Sequence, residues 1–142
     1  MADDLAVDTR FGSFLAKAGA VVTLPDGMPG FERCRRFVIV TGPTLQPFNC
    51  LQGLDEGKPS FLTLDPRMVL PDYQPALSEA ARTLIDAVPG DVLLWMAVVR
   101  LDDRRALVNL RAPIVVNPRR MLGVQLVESD SPYTTEHVLP LD

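Results

Sequence analysis

Thirteen prolines divide the 142-residue chain into short pieces. Proline fixes φ and removes an amide donor, and within sheets it is confined to edges, first positions and bulges. A helical bundle is therefore excluded, and short segments joined by defined turns are expected. Ala20 to Leu24 reads as a strand ending at Pro25-Asp26-Gly27-Met28-Pro29-Gly30, where proline presets φ and glycine supplies positive φ. Arg36-Phe37-Val38-Ile39-Val40 is the return strand of this wide hairpin. Pro47 to Gln52 and Ser60 to Leu64 form two further strands around the Gly53 to Pro59 loop. The second stops at Asp65-Pro66, because a residue before proline is pushed away from helix. Arg67 to Pro75 reads as an ordered loop.

One helix is expected. Ser78 can cap it, Glu79 suits its positive end, and Leu77, Ala81, Leu84, Ile85 and Val88 recur at helical spacing up to Pro89-Gly90. Val92 to Val99 is apolar on both faces and reads as a central buried strand. Asp102-Asp103 turns the chain into Ala106 to Leu110. Ile114 to Val116 follows Pro113, the chain turns at Asn117 to Arg120, and it runs on to Val127, with a last strand at Glu136 to Leu139. Short strands, frequent turns and one helix give a mainly β fold, either a small antiparallel β-barrel or a sandwich-like domain with one short α-helix.

A chain of this length buries roughly 65–70% of its unfolded surface and needs no crosslink to be stable. Its 47% hydrophobic and 23% charged content argues against disorder. Residues 1–10 are polar and expected as a flexible N-terminus, with residues 11–142 as one domain. The acidic start Met1-Ala2-Asp3-Asp4 is unlike a secretory signal. The longest apolar run, Val92 to Val99, falls far short of the roughly 20 residues of a membrane helix. A cytoplasmic protein, with no membrane partner, is expected.

The residues do not assemble into an enzyme. His137 is the single histidine, and no serine sits in a nucleophile elbow. Cys34 and Cys50 are read as buried, reduced thiols, and with one histidine they do not complete a zinc site. Asp55-Glu56 and Asp102-Asp103 read as solvated turn carboxylates, so neither metal nor cofactor is expected. The pairs Arg35-Arg36, Arg104-Arg105 and Arg119-Arg120 are scattered over turns and strand edges, where charge guards against edge pairing. With a net charge of −4 the chain lacks the field that draws nucleic acid, and a basic protein is the better electrostatic match.

Three segments together resemble the FliW family of flagellar assembly factors. The first is Leu24-Pro25-Asp26-Gly27-Met28-Pro29-Gly30-Phe31-Glu32 with Arg36-Phe37-Val38-Ile39. The second runs from Pro47-Phe48 and Leu51-Gln52 through Phe61 and Asp65-Pro66 to Asp72-Tyr73. The third is Val108-Asn109-Leu110-Arg111-Ala112-Pro113-Ile114-Val115-Val116-Asn117, with Gln125 after Gly123. One departure is plain: Cys50 stands where the family carries tryptophan.

The resemblance implies a regulator that binds proteins and does not catalyse. FliW-like proteins bind flagellin before its export and bind CsrA, a small dimeric RNA-binding repressor of translation. Flagellin occupies the factor while plentiful; once exported, it leaves the factor free to capture CsrA and relieve repression. An export chaperone for flagellin alone is the alternative, and a small hydrolase a remote one. Phe48, Leu51, Asp72, Tyr73, Asn109 and Arg111, from these segments, are candidate partner-binding residues. The carboxylates Glu79, Asp102 and Asp103 join them, on the expectation that they are exposed to a basic partner.

Overall fold

The structure of the protein, a computed structural model, describes residues 4–141. Its strands are β1 (Asp4–Thr9), β2 (Gly12–Lys17), β3 (Val21–Thr23), β4 (Arg36–Val40), β5 (Asn49–Gly53) and β6 (Ser60–Leu64). After helix α1 (Glu79–Leu84) come β7 (Leu94–Asp102), β8 (Arg105–Val108), β9 (Ile114–Asn117), β10 (Leu122–Gln125) and β11 (His137–Pro140). Seven strands close into a barrel in the order β7, β6, β5, β4, β3, β10, β9 and back to β7. Of the two architectures the sequence allows, the barrel is the one adopted. Its pairings are antiparallel except that of β3 with β10, a parallel contact at Leu122 and Thr23. β8 lies on the same edge of β7 as β9, and β11 adds to β8.

Side chains of a strand alternate between its two faces, and here both faces are covered. On β4, Phe37 and Ile39 join Val22, Leu24, Leu51, Met96, Ile114 and Val116 in one cluster, the barrel lumen. Val38 and Val40 point the other way, into a second cluster with Cys50, Leu62, Leu64, Val99 and Val108. That outer layer is roofed by Val7 and Ala16 of the β1–β2 hairpin and by Leu45, Phe48 and Tyr73 from loops. A third cluster packs Ala81 and Ile85 of the helical segment on Val115 of β9 and on Leu126.

The N-terminal stretch expected to be flexible is instead a strand from Asp4 onward, paired along its length with β2; residues 1–3 lie outside the described residues. Val7 is buried by this pairing, and Gly12 at φ 127 allows the tight return. Only Leu5 and Val7 point inward, too short a period-two signal for the sequence to show it. The helix is capped as expected, the Ser78 hydroxyl accepting from the Ala81 amide at 3.1 Å. It ends at Leu84, short of Val88 and Pro89, because Asp86 turns left-handed at φ 53. The Asn117 amide of β9 donates to the carbonyls of Ile85 and Asp86 at 3.0 and 3.2 Å, satisfying the helix end from outside. β7 begins at Leu94, two residues after the expected start at Val92, whose side chain is exposed.

The turn between β3 and β4 uses its glycines in two ways. Gly27 has φ 64, and a Cβ there would lie 2.7 Å from the Phe31 carbonyl oxygen and 2.8 Å from the Glu32 Cα. Gly30 has φ 87 but nothing within 4 Å of the Cβ position. Gly30→Ala should therefore cost only the left-handed penalty, about 1–2 kcal/mol. Gly27→Ala should cost more, because backbone must also move. Urea denaturation of both variants checks the order, and equal losses would show that the close approach at Gly27 is relieved without strain.

Candidate functional site

β8 and β9 are one strand interrupted. Three steps along β7, from Val99 to Met96, oppose six along its partner, from Val108 to Ile114. The surplus at Asn109–Pro113 is a bulge, and a bulge leaves main-chain groups to be satisfied elsewhere. The Asn109 side-chain oxygen accepts from the amides of Arg111 and Ala112 at 3.0 and 3.1 Å. The Asn109 amide itself donates to the Val98 carbonyl at 2.9 Å, so the bulge begins anchored to β7. Tyr73 donates its hydroxyl to the Leu110 carbonyl at 2.6 Å, and the Gln125 amide donates to the Ala112 carbonyl at 3.0 Å. The Leu110 amide donates to the Thr134 carbonyl at 3.0 Å, and the Leu126 amide to that of Pro113 at 2.8 Å.

Arg111 extends the same anchoring outward. Its guanidinium donates to the carbonyls of Ser129, Ser131 and Tyr133 at 2.5, 2.9 and 3.3 Å, which a planar fork is shaped to do. Tyr133 in turn lies 4.6 Å from the Tyr73 ring, centroid to centroid, and its hydroxyl accepts from the Gln74 amide at 3.0 Å. Tyr73 is fully buried, and burial first, then the neighbouring Tyr133, pushes its phenol well above the usual range. Asn109, Arg111 and Tyr73 thus form one site, which ties the loop before the helix and the loop before β11 to the bulge.

The other candidates lie elsewhere. Leu51 is fully buried in the lumen, and Phe48 packs in the outer cluster on the opposite side of the sheet. Asp72 is exposed beside Tyr73, and Glu79 is exposed in the first turn of α1. Asp102 and Asp103 form the tip of the β7–β8 hairpin, Asp103 left-handed at φ 58 and Asp102 paired with Arg105 at 2.9 Å. The carboxylates therefore sit on three separate elements. Cys50, where the resemblance places tryptophan, is buried on β5 opposite Val40 and Leu62, and burial raises its thiol pKa.

The arginine pairs form no basic stripe. Arg36 meets Asp55 at 2.7 Å, Arg105 meets Asp102 at 2.9 Å, Arg119 meets Asp91 at 3.0 Å and Arg120 meets Asp86 at 2.8 Å. Side-chain bonds from Arg36 hold the Asp55 carboxyl below its ordinary range, helped by the backbone amides of Arg36 and Arg35. Side-chain bonds from Arg119, then the Val88 amide, do the same for Asp91. Among the described residues, no group of three or more His, Cys, Asp or Glu side chains comes together as a metal site. Residues missed by sequence reasoning are Arg10 and Arg100, single arginines that carry no motif and are placed together only by the fold.

The model of the family described as FliW protein matches residues 6–139. The chain belongs to the FliW family. The flagellar assembly factor FliW of Geobacter sulfurreducens is 37% identical over 131 residues, spanning 91% of this chain and 82% of that protein. Its counterpart from Natranaerobius thermophilus is 33% identical over 133 residues, 92% of this chain and 88% of that protein. A crystal structure of the flagellar assembly factor FliW superposes with a TM-score of 0.83 at 24% identity, covering 94% of this chain and 95% of that one, and shows the same fold. The FliW match starts at residue 6, inside the strand that the sequence alone did not reveal.

Two predictions follow from these contacts. Asn109→Ala should destabilise the protein by about 1–3 kcal/mol, since two amides lose their acceptor. Asn109→Asp, which keeps an acceptor, should lose much less, and equal losses in urea denaturation would show that the oxygen is not what matters. For Asp55 the folded pKa is depressed, so its contribution is present above the unfolded carboxylate pKa and vanishes as pH falls through the folded value. Asp55→Asn should be less stable than the parent by about 1 kcal/mol near neutral pH, and the gap should close as acid protonates the Asp55 carboxyl of the folded parent, below the ordinary carboxylate range. A gap independent of pH would remove the ion pair as its cause.

Proposed function

We propose that this chain is a cytoplasmic flagellar assembly factor that acts by binding proteins, with flagellin and CsrA as mutually exclusive partners. The observation that carries the reading is the family match over residues 6–139. The geometry agrees with a binder of a basic protein. Four arginines on turns and edges are each tied to a carboxylate within the fold. Asp72, Glu79 and Asp103 remain exposed, and among the described residues none of them pairs with a cation. These carboxylates lie on loop tips and a helix start, where they steer and orient a basic partner such as CsrA. Leu51 and Tyr73, fully buried, serve recognition by holding the fold that presents those surfaces.

Titrating the purified chain with flagellin and CsrA together tests the exchange. Each partner should weaken the other's binding by the same factor, as reciprocal linkage requires. The chain should release a leader RNA from CsrA while binding none itself. A ternary complex with unchanged affinities would favour the flagellin-only chaperone. Asp72→Lys, Glu79→Lys and Asp103→Lys should each leave thermal stability almost unchanged, within about 1 kcal/mol, yet weaken CsrA binding, most at low salt. If all three fold and bind CsrA as before, recognition lies away from the acidic tips.

A further inference from the structure

The pairing of the barrel wall breaks off part-way between β6 and β7. β6 and β7 pair at Leu64↔Ala97, Thr63↔Val98 and Leu62↔Val99, and the pairing stops there, although both strands continue. Strand geometry says which groups are left facing the gap. The Val98 carbonyl accepts from Asn109, so Val98, Arg100 and Asp102 direct their main-chain groups toward β8. Leu101 directs its amide and carbonyl the other way, toward β6. The Pro59 carbonyl accepts from Gly53 of β5, so Ser60 in turn faces β7. Ser60 and Leu101 would be the next bonded pair, and instead a cleft of about 670 Å³ lies between them.

The lining of this cleft differs from the rest of the surface. Phe11, Phe31, Phe61 and Leu101 make it apolar, with Phe31 edge-on to Phe61 at 5.7 Å and Leu101 52% exposed. Its charged lining residues are Arg10 and Arg100, and among the described residues no carboxylate lines it. In a chain of net charge −4 this is a local reversal of sign. Arg10 occupies the seam as a placeholder: its amide donates to the Ser60 hydroxyl at 3.1 Å and its guanidinium to the Ser60 carbonyl at 3.3 Å. Arg100 meets Glu136 at 3.2 Å, with both side chains more than 60% exposed, a weak pair that a better-placed carboxylate can displace.

We propose that this seam docks an extended, acidic and apolar peptide segment of a protein partner, which adds to the free edge of β7 at Leu101. An extended segment pairs its main chain with an open edge and sets alternate side chains into flanking pockets. Apolar side chains lie against Phe31 and Phe61, and carboxylates meet Arg10 and Arg100. This surface is opposite in charge to the acidic tips assigned to CsrA above, and the inference stands independently of the exchange proposed there.

The probes are a labelled synthetic peptide alternating phenylalanine with glutamate and its counterpart alternating phenylalanine with lysine. The glutamate peptide should bind the full chain, shift the amide resonances of Arg10, Phe61, Arg100 and Leu101, and slow hydrogen exchange at the Leu101 amide. The lysine peptide should not bind. The double variant Arg10→Glu, Arg100→Glu should weaken the glutamate peptide at least about tenfold. Leu101→Pro removes the amide that faces the cleft without touching a bond to β8, and it should weaken binding without the charge change. Equal binding of both peptides, or unchanged affinity in the double variant, would overturn the proposal. So would unaltered exchange at the Leu101 amide in the bound wild-type chain, a measurement that decides the matter even if the proline variant fails to fold.

Discussion

When a strand gains three residues against its neighbour, it must find partners for main-chain groups that the ladder no longer serves. Here that happens at Asn109–Pro113, and the arrangement of the loops beyond the barrel follows from how those groups are satisfied. Asn109 closes the bulge on itself through two amides, and Tyr73 and Gln125 reach in from other segments for the carbonyls. Each buried bond is worth only about 1 kcal/mol net, but leaving one of these groups unpaired costs more. The bulge also moves the chain from β8 onto β9 along one edge of β7, which allows β9 to meet β10 and close the barrel. Sequence positions that look like recognition residues are in this way explained first as main-chain accounting.

The same logic separates what the sequence made legible from what it did not. β4 and β6 are found within their expected bounds, because a run of β-branched and aromatic residues stops at a turn with its own chemistry. α1 starts where its serine cap predicts but stops early, where Asp86 turns left-handed and the carbonyls at the helix end are taken up by Asn117, distant in sequence. β1 escaped notice because a strand with only two inward residues, Leu5 and Val7, has little periodicity to show. Of the candidate site, the Asn109 to Pro113 motif and Tyr73 were legible as residues. That they form one cluster was not, since Tyr73 reaches Leu110 across 37 positions.

Charge follows a similar division between local and long-range effects. Arg105 meets Asp102 three residues away, while Arg36, Arg119 and Arg120 find carboxylates on other turns. These pairs are mostly exposed and add little stability singly, but they remove the arginines from the surface field. Among the charges outside such pairs are the carboxylates of Asp72, Glu79 and Asp103 on the one hand and Arg10 at the β6–β7 seam on the other. Composition reports the sum of the two and conceals the separation.

That separation bears on how so small a β-barrel can present two surfaces of different character. A closed barrel has no free edge, which protects it from aggregation but also deprives it of the simplest way to grip a peptide. This chain has a short opening between β6 and β7, guarded by the aromatic rings and by Arg10, whose guanidinium sits on a carbonyl that a neighbouring strand would otherwise use. An arginine there satisfies the main chain when the seam is empty and discourages basic segments. Specificity then comes from the sign of the charge at the seam, and stability from the bulge on the opposite edge of β7. The two edges of one strand thus divide the labour: Asn109 anchors one, and Leu101 leaves the other open.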